Sequence, residues 1–202
     1  MNPWVLDLCS GLGGASEAFA NHPHWEVVRI ENNELLADVP HTESLDVLRW
    51  LDWLPKMIQQ LGRPDLIIAA PPCREFSRAF SAPAPSAERL GIRFEPDMSI
   101  LEACIDIIEF CRPTYHVIEN VQGAIGHFRV YLGGWRQRLG PFYLWGSFPQ
   151  INLDGDLNHS KYDHDSWSTD PLRANKRACW PIMMSNGLLD AVMQQSTLAD
   201  WI

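Results

Sequence analysis

The sequence predicts a doubly wound α/β sheet, and three observations predict it. Short apolar runs alternate with segments whose apolar residues recur at helical spacing. The runs are apolar at consecutive positions, as from Asp65 to Ala70, which suits strands covered on both faces of a parallel sheet. Glycine or proline follows several of them, marking turns between elements. With 202 residues the chain is read as one domain, residues 1–202, large enough to bury about 70% of its unfolded surface.

Trp4 to Leu8 reads as the first strand, followed by a turn with Gly11, Gly13 and Gly14 and a short helix through Phe19. Trp25 to Ile30 is the second strand. Val47, Leu51, Leu54, Ile58 and Leu61 share a helical face, and Pro55 is expected to kink or split that helix, because proline lacks the N–H and crowds the preceding turn. Asp65 to Ala70 is the next strand. Residues 78–97 hold Pro83, Pro85, Gly91 and Pro96 with little periodicity and are expected to form a long functional or mobile loop. Met98, Leu101, Ile105 and Ile108 make a helical stripe closed by Pro113. Tyr115 to Ile118 is a strand ending at Glu119-Asn120, and Phe142 to Trp145 is another. Residues 152–170 are polar and irregular, and a helix over 182–194 finishes the fold.

The formal net charge is −9, which by itself opposes nucleic-acid binding, since phosphate contacts dominate that affinity. The charge is uneven. Residues 1–60 are acidic, whereas 123–150 hold Arg129, Arg136 and Arg138 and no acid. Arg74, Arg78, Arg89 and Arg93 form a second group, and Arg173, Lys176 and Arg177 a third. These read either as one basic face or as scattered solvated arginines. Five cysteines, without Cys-x-x-Cys spacing, argue against a disulfide framework and a structural zinc site. Cys104 and Cys111, seven apart, read as core, as do Trp50 and Trp53, while Trp135 and Trp167 are better placed to stack on bases. His159, Asp163, His164 and Asp165 read as solvated residues, and no metal is expected. No signal-peptide pattern opens the chain and no apolar run approaches the roughly 20 residues of a membrane span, so the expected location is the cytoplasm of a bacterial or viral host cell.

Three segments carry chemistry. In Asp7-Leu-Cys-Ser-Gly-Leu-Gly-Gly14, glycines at a strand-to-helix turn let the backbone approach a ligand. The spacing is not Gly-x-Gly-x-x-Gly, which disfavours a dinucleotide, and the bland alternative is a turn made tight only for packing. Glu31, at the end of the second strand, suits ribose hydroxyls. In Pro71-Pro-Cys-Arg-Glu-Phe-Ser77, two prolines end a buried strand and stiffen a cysteine placed to be a nucleophile. Val117-Ile-Glu-Asn-Val121 adds Glu119, an acid or hydrogen-bond donor if enclosure raises its pKa. A thiolate and a protonated carboxyl are the pair needed to add to a conjugated ring and neutralise the charge that develops.

DLCSGLGG, APPCREFS and IENV, in this order and spacing, resemble the DNA cytosine carbon-5 methyltransferase family over roughly residues 3–123. The resemblance implies a Rossmann-like, S-adenosylmethionine-dependent methyltransferase fold. It implies that Asp7, Ser10, Gly11, Gly13 and Gly14 cradle the methionine part of the donor, with Pro71 at the same site. Glu31 would bind the ribose and Asp46 would contact the adenine. Cys73 would attack carbon 6 of cytosine, Glu119 would hold ring nitrogen 3 and the amino group, and Asn120 would brace the Pro-Pro-Cys loop. Arg74, Ser77, Arg78 and Arg93 would meet the substrate. That substrate is expected to be double-stranded DNA with the cytosine flipped out, because the base cannot be reached inside the stack. Residues 78–97 would be the loop that closes over it.

The chain also departs from the family. Cys9 replaces an aromatic residue and Arg74 a glutamine. The later Gln-x-Arg-x-Arg motif is not evident around Phe148 to Asn152, so one arginine is unassigned, with Arg129 and Arg177 as candidates. The final Gly-Asn motif is degraded, with Lys176 to Pro181 in its place. Only residues 150–175 are left as a minimal recognition segment, so specificity is expected to be short or relaxed, or to come from the loop and a partner, as suits a small phage-borne member. Three alternatives stay open: the same chemistry on RNA, transfer of a carboxymethyl group from a carboxylated donor met by Lys176 or Arg177, and a non-catalytic homologue that binds donor or DNA.

Overall fold

The computed structural model describes residues 2–78, 82–157 and 169–199. Its strands are β1 (Trp4–Leu8), β2 (Glu26–Glu31), β3 (Thr42–Ser44), β4 (Leu66–Ala69), β5 (Tyr115–Asn120), β6 (Gln137–Leu139) and β7 (Phe142–Ser147). They form one sheet in the order β3-β2-β1-β4-β5-β7-β6. The first five strands are parallel. β7 runs antiparallel to both β5 and β6. Only Gly140 and Pro141 separate β6 from β7, and two residues can close a hairpin but not a parallel crossover. The doubly wound expectation therefore holds for β1 to β5, and a hairpin completes the sheet.

The helices are α1 (Glu17–Ala20), α2 (Trp50–Leu61), α3 (Pro83–Arg89), α4 (Ser99–Cys111), α5 (Ile125–Leu132), α6 (Arg173–Ala178) and α7 (Ile182–Ala199). Successive strand residues point to opposite faces, so each apolar run feeds two cores. Leu6, Ile67, Ile118 and Trp145 pack on one face with Leu54, Cys104, Ile107 and Phe128 from α2, α4 and α5. Val5, Ile68, Val117 and Leu144 pack on the other with Phe19, Met184, Leu188 and Val192 from α1 and α7. Cys104, Cys111 and Trp53 are buried as core, and Trp50 stacks on Phe110 at 5.3 Å.

Two local expectations are corrected. α2 is not split at Pro55, running from Trp50 to Leu61, and Val47 belongs to a separate 3-10 turn, Val47–Arg49, capped by Asp46. Residues 78–97 are not all loop, because Pro83 to Arg89 form α3. Pro83 occupies the first helical position, where no N–H is needed, and Ala84, Ala87, Glu88 and Arg89 are good helix formers. The strands β3 and β6 and the helices α5 and α6 are short and carried no strong periodic signal. No helix among the described residues is long and apolar enough to cross a membrane.

Phe128 links the two halves of one core, its ring meeting Phe76 at 5.2 Å and Trp145 at 5.1 Å. Phe128→Ala should cost about 3–5 kcal/mol of stability in a denaturant titration, whereas Val130→Ala, at a position 84% exposed, should stay within about 0.5 kcal/mol.

Candidate active site

After β1 the chain builds β2 and β3 on one side, then crosses to β4 on the other. The connections leaving β1 and β4 therefore part company at the carboxyl ends of the strands, the place where open α/β sheets build their ligand sites. All three chemical segments end there: one follows β1, one follows β4, and one is the tip of β5.

The turn after β1 is left-handed at Cys9 (φ 54°), Gly11 (φ 55°) and Gly13 (φ 76°). For Cys9 that conformation is a strain that the surrounding packing must hold. Contact with Cys104, together with burial, pushes the Cys9 thiol up, so this sulfur is not poised as a nucleophile. Beneath the turn lies a buried polar network. Ser16 donates its hydroxyl to Asp7 Oδ2 at 2.6 Å and accepts from Arg29 Nε at 2.9 Å. The buried Arg29 guanidinium also donates to the Gly13 and Pro40 carbonyls and pairs with Glu17 at 2.8 Å. The other side of the turn is held by Glu31, which accepts from the Gly11 amide and the Asn33 amide, both at 2.9 Å. Asp7 Oδ1 and Ser10 Oγ are buried with no hydrogen-bond partner among the described residues.

The glycines differ in purpose. A Cβ on Gly13 would press on Arg29 Nε at 2.5 Å, and one on Gly14 would meet the Cys179 sulfur and the Trp180 carbonyl oxygen, the latter at 2.7 Å. Internal packing alone requires both. Above Gly11 there is room, the nearest neighbour of an added Cβ being Asn175 Nδ2 at 3.6 Å. This places the first residues of α6 beside the turn. Lys176, one residue on, is exposed and pairs with Asp170 at 2.6 Å.

Cys73 begins a 3-10 turn, Cys73–Phe76, directly after the prolines. Asn120 Nδ2 donates to the Pro71 carbonyl at 2.9 Å, while its Oδ1 accepts from the Val121 amide at 2.8 Å. Asn120 is fully buried, Glu119 is nearly so, and Cys73 is half-buried. The Phe76 ring is wedged against Phe128 and His127, which anchors the far end of the turn. Arg74 and Arg78 are exposed and Ser77 half-buried along the same rim. Glu75 accepts from the Asp97 amide, tying the end of the 78–97 segment back to the turn.

Two other candidates are engaged elsewhere. Asp46 caps its helix by accepting from the Leu48 amide at 2.9 Å, and Arg93 pairs with Glu95 at 2.6 Å on the exposed loop. An Arg-x-Arg pair, Arg136 and Arg138, stands at the start of the β6 hairpin, away from Phe148 to Asn152. Arg138 stands opposite Tyr143, which stands opposite Asn120, so it lies two strand spacings, roughly 10 Å, along one row from the tip of β5. Its guanidinium covers the Tyr143 ring at 5.3 Å, and Trp135 meets the same ring edge-on at 5.7 Å. The spacing was visible in the sequence; the register was not. Trp167 and the His159 to Asp165 cluster lie outside the described residues.

The model of the C-5 cytosine-specific DNA methylase family matches residues 4–136. A protein of Frog virus 3 (isolate Goorha), named a probable DNA (cytosine-5)-methyltransferase, is 26% identical over 139 residues. That match covers 65% of this chain and 58% of the viral protein, so the chain spans little more than half the length of that relative. A solved structure described as a putative DNA modification methyltransferase encoded within an E. coli prophage superposes with a TM-score of 0.47 at 18% identity, over 72% of this chain and 46% of that one.

Burial raises the Asp7 carboxyl from its ordinary 3.8 to about 6, against the opposing pull of Ser16 and Arg29. Below pH 4 the group is protonated in both folded and unfolded chains. From about pH 4 to 6 the unfolded chain ionises first, so the folded state loses about 3 kcal/mol, complete near pH 7. Asp7→Asn carries no charge, and its stability relative to the wild type should rise by that amount between pH 4 and 7 in denaturant titrations. A difference independent of pH would contradict a buried ionisation at Asp7.

Proposed function

Because the chain belongs to the C-5 cytosine-specific DNA methylase family, we propose that it transfers a methyl group to carbon 5 of cytosine in DNA, with Cys73 as nucleophile. The observation that carries this reading is the Asn120–Pro71 hydrogen bond, which ties the Cys73 turn to the strand tip bearing Glu119. A cysteine serving only the core would need no such fixing.

The residues present fit an S-adenosylmethionine donor. The buried, unpartnered Asp7 Oδ1 and Ser10 Oγ are polar atoms that a ligand would satisfy, and the space over Gly11 leaves the backbone approachable. Glu31 uses one lone pair on each oxygen for Gly11 and Asn33, so each oxygen can still accept from a ribose hydroxyl. Asn175, beside Gly11, joins the candidates for holding the donor, with Asp46 at the adenine end. When bound, the donor supplies an electrophilic methyl on a sulfonium sulfur.

The chain's own residues do the rest. Cys73 gives its proton to solvent and its sulfur bonds to carbon 6, which turns carbon 5 into a nucleophile. Glu119, buried at the tip of β5, would hold nitrogen 3 and the amino group, so that charge does not build up on the ring. Once carbon 5 is substituted, its proton passes to solvent, that electron pair re-forms the carbon 5–carbon 6 double bond, and the carbon–sulfur bond breaks to release the thiolate. Arg138, in the row of Asn120, is the better choice for the unassigned arginine than Arg129 or Arg177. Arg74, Ser77 and Arg78 line the rim where the flipped base and its strand would enter.

Cys73→Ala should abolish transfer to a cytosine-containing duplex while leaving donor affinity within about twofold, and Glu119→Gln should lower kcat by about 100-fold or more. Mass spectrometry of nucleosides from exposed DNA or RNA reads the product, separating methyl from carboxymethyl and one nucleic acid from the other. Turnover retained by Cys73→Ala would end the mechanism. Failure of wild-type protein to trap a fluorocytosine duplex, with donor binding intact, would leave a non-catalytic binder.

A further inference from the structure

We propose that Gly123 is a positioning residue for Cys73, an inference that rests on reading Cys73 as the nucleophile. After β5 the chain passes through a 3-10 turn, Gln122–Ala124, into α5. Gly123 lies so close to the Cys73–Phe76 turn that a Cβ on it would overlap the Phe76 carbonyl oxygen and stand 3.0 Å from the carbonyl carbon. The Arg78 side chain crosses the same spot, its Cγ at 3.8 Å. Gly123 is not among the residues with positive φ, so its missing side chain serves this contact and not the turn's own conformation.

The obstacle is backbone. A flexible side chain could swing aside, but a carbonyl moves only with the turn that carries it. That turn is held at both ends. The Pro71 carbonyl is bonded to Asn120, and the Phe76 ring is wedged against Phe128 and His127. Cys73 sits between these two points. A methyl group on Gly123 must therefore tilt the turn about the Asn120 bond and shift the sulfur relative to Glu119. A displacement of about 1 Å at a reacting atom costs on the order of 100-fold in rate.

Gly126 provides a matched control, because a Cβ there meets nothing within 4 Å. Gly123→Ala should lower kcat and the rate of trapping a fluorocytosine duplex about 100-fold, with donor affinity within twofold of wild type. Gly126→Ala should match wild type in all three. Amide exchange in residues 73–77 should quicken in Gly123→Ala and not in Gly126→Ala. The double variant Gly123→Ala/Phe128→Leu, which loosens the packing behind Phe76, should regain at least tenfold of the lost kcat. A Gly123→Ala chain that does not fold, beside a folded Gly126→Ala, would make Gly123 a residue of the fold and overturn the positioning role. A kcat within threefold of wild type, no regain in the double variant, or loss of donor binding in parallel with kcat would each overturn the positioning role. If wild-type protein neither methylates nor traps, the reaction reading fails, and the exchange rates then decide the contact: unchanged rates overturn it, and quickened rates support it.

Discussion

Asn120 is buried at the tip of β5, and both polar ends of its side chain are committed to backbone. Its amide nitrogen holds the Pro71 carbonyl beyond β4, and its oxygen holds the Val121 amide at the start of the next turn. One side chain thus fixes the exits of two neighbouring parallel strands to each other. A buried amide left half-satisfied would cost about 1–3 kcal/mol, so the arrangement is self-enforcing. The Cys73 turn inherits its position from this bond, and Phe76, Phe128 and Trp145 carry that position into the hydrophobic core.

A second polar assembly stabilises the turn beyond β1. Arg29 is buried yet hydrogen-bonded through all three of its nitrogens, to Ser16, Gly13, Pro40 and Glu17. It lies beside Asp7 in the β1–β2 register, so a cation and a carboxylate share the same low-dielectric floor through one serine hydroxyl. The glycine turn therefore has two physical explanations at once. Gly13 and Gly14 are bare because Arg29, Cys179 and Trp180 occupy the space a side chain would need. Gly11 faces room beside Asn175, and there the permissive backbone is available to a ligand.

Much of this was legible in the sequence because it is local. Consecutive apolar residues such as Leu66 to Ala69 announce strands buried on both faces, and the Leu101, Ile105, Ile108 spacing, with Cys104 and Cys111 seven apart, announces α4. Pro-Pro-Cys announces a stiff exit from a strand. The misjudged places are those where context reverses a residue's usual meaning. Pro83 and Pro85 read as loop, yet prolines are harmless in the first turn of α3. Pro55 reads as a kink or a split, yet the amphipathic packing of α2 keeps the helix from splitting there.

The sequence by itself determined the alphabet of the site: a glycine turn, a rigidly presented cysteine and an acid–amide pair at a strand end. It did so because each is a short-range pattern of residue types. Only the tertiary structure decided which of these meet. The strand order parted the exits of β1 and β4 and set β5 next to β4. The register brought Arg138 into the row of Asn120, and the fold of the last helices laid Asn175 and Cys179 against the glycine turn. Those are contacts between residues tens of positions apart, set by how two cores close on one sheet.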